Sequence, residues 1–406
     1  MNDPYQLLTA EEKLLLSLCR LSFTPDQRNQ ISLLMQEVKD WDRFVKLANE
    51  HGIIALSWYN ITNTNIVKYI PTPYLKILHN GYLKNLTRNI YLYDQFAKIL
   101  NFLKQEDIKI VLLKGMALEK TIYGNQGLRQ MTDIDVLVSQ DDVLKLRKIF
   151  IKNRFRSDSL KSPLYKFLLP YLGKHIPRLT KDDCHVEIHS KLFDQKDNSL
   201  TEKLLEFSIP LNIDEFNTFI PPPQLFFLYL VSHLEHHIAS GDSQLRLYTD
   251  LYLLVSSGFE DIVNKQLIDY AIVADMEKQL ATMLYLLNYF WKVNYPDWLL
   301  KFIFQYDLSP ETEKFCRFIK KPNDNPDKRV SDNYIKQINM IPGFFRKVLY
   351  ATGFFFPSLT FMKNRYATKT RAGAFFYYPL RWYDTLKYLV FRKGLIRSPA
   401  KRNSSE

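Results

Sequence analysis

The sequence predicts an α+β protein: a small mixed sheet backed by helices, flanked by N-terminal helices and a C-terminal helical bundle. Three observations predict it. Short apolar runs at 108–113, 133–138 and 185–189 alternate with stretches whose apolar residues recur at three- and four-residue spacing. Pro221-Pro222-Pro223 closes this mixed part, and the pattern beyond it is helical throughout. Two aspartates, Asp133 and Asp135, interrupt the otherwise apolar run from Met131 to Val138, where a purely structural strand would carry none.

Taken in order, Glu11 to Leu18 and Ile31 to Ala48 have helical spacing, Pro71 and Pro73 break it, and a helix of roughly Leu75 to Gln105 follows. Ile108 to Leu113 is apolar and rich in β-branched residues, hence a buried strand. Gly115 opens the next helix, whose free backbone amides suit an anion. Asp133 to Val138 gives a second strand, Asp142 to Asn153 a helix and His185 to His189 a third strand, while 209–220 reads as irregular or edge material. Beyond the prolines, Gln224 to His237, Leu245 to Ser256, Ile262 to Ala274 and Glu277 to Trp291 read as a bundle. The resulting partition is an N-terminal helical region (1–105), a catalytic core (106–220), a helical bundle (221–320), a linker (321–335) and a C-terminal region (336–406). No repeat of fixed period is visible.

Composition bounds the function. An apolar content of 46% is that of a folded chain rather than a disordered one. Cys19, Cys184 and Cys316 lack the paired spacing of a zinc site or a disulfide framework, which suits a reducing compartment. The N-terminus lacks the layout of a secretory signal, and no uncharged apolar run reaches the roughly 18 residues that span a bilayer. The expected location is therefore cytoplasmic, with a peripheral position at the inner membrane face left open by the tail. Of the net charge of +12, a local +11 lies from Ile341 onward, where thirteen Lys and Arg face two acids among sixteen aromatic residues. Segment 341–406 is accordingly expected to meet a polyanion such as RNA, or an anionic membrane surface, with its aromatics packed and its cations exposed.

The chemistry concentrates at Lys114-Gly115, Arg129, Asp133, Asp135, Glu187 and His189. Residues two apart on a strand share a face, so Asp133 and Asp135 project the same way. Two adjacent like charges on a half-buried strand are costly unless a cation neutralises them. Mg2+ or Mn2+ suits them, since such ions take a few carboxylate oxygens and leave positions for water and phosphate. Glu187 offers a third carboxylate from a later strand, as a two-metal phosphoryl-transfer site requires.

The segment VLLKGMALEKTIYGNQGLRQMTDIDVLV (111–138), followed by HVEIH (185–189), resembles the nucleotidyltransferases of the DNA polymerase β superfamily. More narrowly it is similar to the bacterial group of uncharacterised nucleotidyltransferases, whose pattern Lys114, Gly115, Tyr123, Arg129, Asp133, Asp135, Glu187 and His189 match. The usual Gly-Ser pair of the nucleotide loop is Lys114-Gly115 here, as is normal for the narrower group. The resemblance implies a polymerase β-like core and transfer of an NMP group from an NTP to an acceptor hydroxyl or phosphate, with release of pyrophosphate. It implies Asp133, Asp135 and Glu187 as catalytic metal ligands, and Lys114, Gly115, Arg129 and His189 as nucleotide contacts. Arg129 could clamp the γ-phosphate or pair with the two aspartates. The acceptor (RNA, a protein or peptide, a glycan or a small molecule) stays open. So do two rival readings, a catalytically silent scaffold module and a toxin-like RNA-modifying enzyme.

Two further clusters stand out. His233, His236 and His237 share a helical face but lack the His-Glu-x-x-His spacing of a zinc site, and read as a polar wall of a substrate cleft. Arg246 and Asp250, at i and i+4, read as a helix salt bridge or as part of a base pocket.

Overall fold

The computed structural model describes residues 3–64, 66–194, 198–213, 216–322 and 334–391. The expected linker at 321–335 falls mostly on 323–333, outside the described residues. By its contacts the chain forms two units, each assembled from separated stretches. The first comprises 1–138, 192–194 and 198–331, and the second 139–191, 195–197 and 332–406. The protein is α+β, with seven strands among the described residues: β1 (Val111–Leu112), β2 (Ile134–Leu137), β3 (Arg156–Ser157), β4 (Leu179–Lys181), β5 (Cys184–His189), β6 (Ile209–Ile213) and β7 (Phe216–Ile220).

In the first unit, two N-terminal helices replace the single pattern expected over Ile31 to Ala48. Pro25–Glu37 ends at Val38, which turns extended, and Trp41–Glu50 starts on Asp40, whose carboxylate accepts the Arg43 N–H. The long helix Thr72–Leu103 buries Leu78, Asn85, Asn89, Leu92, Phe96 and Ile99. Their spacing of seven, four, three, four and three is one continuous helical stripe in which two asparagines stand among apolar residues.

The strand order in this unit is β2-β1-β7-β6. β1 is antiparallel to β2, with Leu112 opposite Val136, and parallel to β7, with Val111 opposite Phe219. Of the irregular or edge material expected at 209–220, the edge reading holds for β6, which ends the order, while β7 lies between β6 and β1; the two pair antiparallel over five positions. Pro210, Asn212 and Asn217 blur the alternation that would have revealed the pairing. Buried Thr218 still satisfies its hydroxyl on the Leu211 carbonyl, at 2.7 Å. After Pro222 come the helices Pro223–Ser240, Leu245–Ser257, Lys265–Ala274 and Glu277–Trp291, close to their expected bounds.

In the second unit β3, β4 and β5 form an antiparallel ladder, with Leu179 opposite Val186 and Thr180 opposite His185. The helix Asp142–Lys152 turns Val143, Leu146 and Phe150 inward. A separate core joins Tyr165 and Leu168 to Ile341, Tyr350 and Phe354, and the Tyr165 and Tyr350 rings stack at 5.3 Å. Only part of the expected tail packing holds. Tyr350 and Phe354 are buried, but Phe344, Phe345, Phe356, Phe375, Phe376 and Tyr383 are exposed, while the cation Arg381 is buried over the Phe354 ring. Residues 392–406 of the tail lie outside the described residues. Among the described residues no helix is long and apolar enough to cross a membrane.

Candidate functional site

β1 delivers the chain to its turn with the Leu113 N–H bonded to the Asp135 carbonyl at 3.0 Å, so the residues before Lys114 lie alongside the start of β2. Lys114 opens the short helix Lys114–Leu118 at φ +43°, a left-handed conformation that costs a non-glycine residue about 1 kcal/mol or more. Its ammonium is only 12% exposed and meets Asp135 Oδ1 at 2.7 Å. At Gly115 an added Cβ would stand 2.8 Å from the Met131 side chain and 2.9 Å from Arg129 Nη1, which explains the absence of a side chain there.

Asp135 lies inside β2 and is buried; Asp133 lies one residue before the strand and is half-buried. Burial, and then the charge of Asp135, push the Asp133 carboxyl above its ordinary value. The Lys114 ammonium and the Thr132 hydroxyl, 3.2 Å from Oδ1, pull it back only in part. The two carboxylates therefore share one electrostatic neighbourhood, as their spacing predicts.

The loop that feeds them is held almost carbonyl by carbonyl. Asn89 donates its amide to the carbonyls of Gln126 and Arg129, Asn85 reaches that of Gly127 at 2.6 Å, and Arg88 reaches that of Thr132 at 2.7 Å. Arg246 takes the Gln130 carbonyl at 2.7 Å. Gly127 tolerates no Cβ, which would come within 2.3 Å of the Tyr82 ring. Sequence reasoning missed Asn85, Arg88 and Asn89. The signal was present, since two amides on the apolar stripe of a helix need buried carbonyls to satisfy.

Arg129 is engaged by Asp250, and the Asp135 charge also acts on it. Its Nε and Nη2 grip both oxygens of Asp250 at 2.9 and 2.7 Å, and the Tyr123 hydroxyl donates to Asp250 Oδ1 at 2.8 Å. All three side chains are buried, and the Tyr123 hydroxyl is driven well above its ordinary value, first by burial and then by the Asp250 charge. Asp250 is thus matched with Arg129 and Tyr123, while Arg246, four residues before it, serves the loop carbonyl and Gln244. Tyr123 ends a π-helical turn, Glu119–Tyr123, of the kind that recurs at functional sites.

The helix Pro223–Ser240 contributes the histidines. His233 and His237 lie 4.4 Å apart, ring to ring, and His237 Nδ1 is 3.0 Å from Asp242 Oδ1. Burial holds both below their ordinary values, and the positive charge of Lys114 adds to the effect at each. Among the described residues His233, His236 and His237 do not gather as a metal-ligating group.

In the second unit, β5 alternates buried Cys184, Val186 and Ile188 with half-buried His185 and Glu187, and ends on buried His189. Glu187 and His189 share a strand face: His189 Nε2 lies 3.7 Å from Glu187 Oε2, and the His175 ring stands 5.3 Å from that of His189.

No curated protein matches the chain. A family model described as an uncharacterised nucleotidyltransferase matches residues 37–292, a span that takes in Lys114, the Asp133–Asp135 pair, Glu187, His189 and the His233 helix. The chain belongs to this family of nucleotidyltransferases.

Proposed function

We propose that the protein transfers a nucleoside monophosphate from an NTP to an acceptor hydroxyl or phosphate, with pyrophosphate leaving. The carrying observation is the placing of Asp133 and Asp135 at the start of one strand with the Lys114 ammonium 2.7 Å from Asp135, where burial and like charge hold the Asp133 carboxyl above its ordinary value. Such a pair is relieved by a divalent cation, and the residues present fit one. Asp133 and Asp135 offer two carboxylates in the first unit, and Glu187 and His189 offer a carboxylate and an imidazole on one strand face of the second. In this reading Asp133, Asp135 and Glu187 hold Mg2+ or Mn2+, which would supply charge neutralisation at the phosphates and acidify the acceptor hydroxyl.

The chain's own groups account for the rest. Glu187 takes the acceptor proton, and His189 orients its carboxylate. Lys114, paired with Asp135 before substrate binds, meets the triphosphate as its cationic contact. Amides at the start of the Lys114–Leu118 helix face the phosphates. The neutral His233 and His237 line the acceptor or base side of the cleft. Arg129 is a positioning residue: by gripping Asp250 it fixes the loop that ends at Asp133. The buried cysteines Cys19, Cys184 and Cys316 agree with a reducing, cytoplasmic setting.

The test incubates the purified full-length protein with each α-labelled NTP, Mg2+ or Mn2+, and fractionated cell extract. One NTP is expected to label a discrete acceptor with stoichiometric pyrophosphate. Absence of label and of pyrophosphate with all four would contradict the reading.

A further inference from the structure

The second unit carries an aromatic surface that the nucleotidyl-transfer chemistry does not use. Phe376 is 81% exposed, Phe375 63% and Phe356 54%. Their rings belong to one continuous row: Phe376 to Phe375 at 6.3 Å, Phe375 to Tyr378 at 5.8 Å, Tyr378 to Trp382 at 6.1 Å and Trp382 to Phe356 at 5.6 Å. The polar atoms of the two amphipathic members point back into the protein. Trp382 Nε1–H donates to the Phe355 carbonyl at 2.9 Å, and the Tyr378 hydroxyl donates to the Pro357 carbonyl. The row therefore presents hydrocarbon without an unmet hydrogen bond, and its rings are tethered.

Charge surrounds it with one sign. Lys369 and Arg371 are exposed just before Phe375, and Lys387 is exposed on the helix Tyr378–Phe391 beside exposed Tyr383 and Leu386. Asp384 is the single acid between 341 and 391.

We propose that this surface docks the protein on an anionic bilayer, with the phenylalanines entering the interface and the cations meeting headgroup phosphates. Apolar area flanked by Lys and Arg is what interfacial binding requires, and the cations make it selective for anionic lipid. Two other occupants fit less well. A single-stranded RNA platform needs open ring faces on which successive bases stack, whereas Phe375 and Phe376 cross at 84°, Phe375 and Tyr378 at 67°, and Phe356 and Trp382 at 71°. A second copy would bring the same cations against one another.

Full-length protein is sedimented with vesicles of phosphatidylcholine alone or with phosphatidylglycerol added, across a salt series. Binding is expected only to the anionic vesicles, weakening as salt rises. Phe375→Ser with Phe376→Ser should lower it about tenfold or more. Lys369→Gln with Arg371→Gln should weaken the salt-sensitive part while leaving melting temperature and circular dichroism unchanged. Phe356→Ser, a single exposed change, repeats the test should the double variant fold poorly. Equal binding to neutral and anionic vesicles, or wild-type binding in all Phe variants, would overturn the proposal. So would absence of vesicle binding with either of two results. One is retention of an RNA oligonucleotide that the Phe variants release; the other is a dimer in light scattering that those variants dissociate.

Discussion

Asp250 and the Asp133–Asp135 pair, both in the first unit, are treated in opposite ways. Asp250 is met on both oxygens by a forked guanidinium and on one by a phenol, so its charge is neutralised within the fold. Asp133 is placed beside Asp135, and Lys114 and Thr132 only partly offset the burial and repulsion that raise it. A carboxylate that the protein neutralises itself is structural. One that it leaves in conflict is where, on the proposed reading, a cation from outside would sit.

The largest expected effect breaks the second arrangement. Asp135→Asn keeps the shape and removes the charge, and nucleotide transfer should fall by about a hundredfold or more while the circular dichroism spectrum is unchanged. Wild-type turnover in both Asp135→Asn and Asp133→Asn would remove the distinction between the two groups.

The first arrangement should respond in stability instead. Arg129→Met leaves Asp250 charged and buried, at a cost of about 3–5 kcal/mol in urea denaturation. Combining it with Asp250→Leu should recover much of that loss, because no uncompensated charge then remains. A loss under 1 kcal/mol from Arg129→Met alone would mean that the network is not the clasp it looks like.

Lys114 sits between the two cases. Lys114→Ala should weaken binding of a nonhydrolysable NTP about tenfold with little change in melting temperature. Unchanged affinity with a large drop in melting temperature would make Lys114 structural.

The smallest effect concerns proton linkage. A carboxyl raised in the folded state binds its proton more tightly folded than unfolded. Its contribution is therefore fully present below the unfolded value of about 3.9 and is lost as the pH rises through the raised folded value. In metal-free protein, Asp133→Asn should be more stable than wild type at neutral pH, and the advantage should vanish below about pH 4. An advantage that does not change with pH would point to packing rather than charge.

Much of this was legible in the chain. Asp133 and Asp135 announce themselves because two like charges two residues apart on a strand have no cheap structural reading, and Lys114-Gly115 marks a strand turning into a helix. Arg129's partner was not legible, because Asp250 lies 121 residues away and four residues from an arginine that makes a tempting helix pair. The β6–β7 pairing was hidden by polar residues on a ladder whose outer positions need no apolar side chain. The exposed phenylalanines were misjudged for a general reason: composition counts aromatics but not the faces they occupy, and Phe375 ends the five-residue helix Arg371–Phe375 with Phe376 just past it, too short an element to bury both.

The central claim, that Asp133 and Asp135 are left in conflict to receive a divalent cation, is tested most directly by titrating Mn2+ into the protein and reading free ion by electron paramagnetic resonance, with a nonhydrolysable NTP present. The account predicts saturable binding in the wild type, its loss in Asp133→Asn and Asp135→Asn, and its retention in a variant away from the site such as Phe376→Ser. Equal Mn2+ uptake by the wild type and both aspartate variants would contradict it.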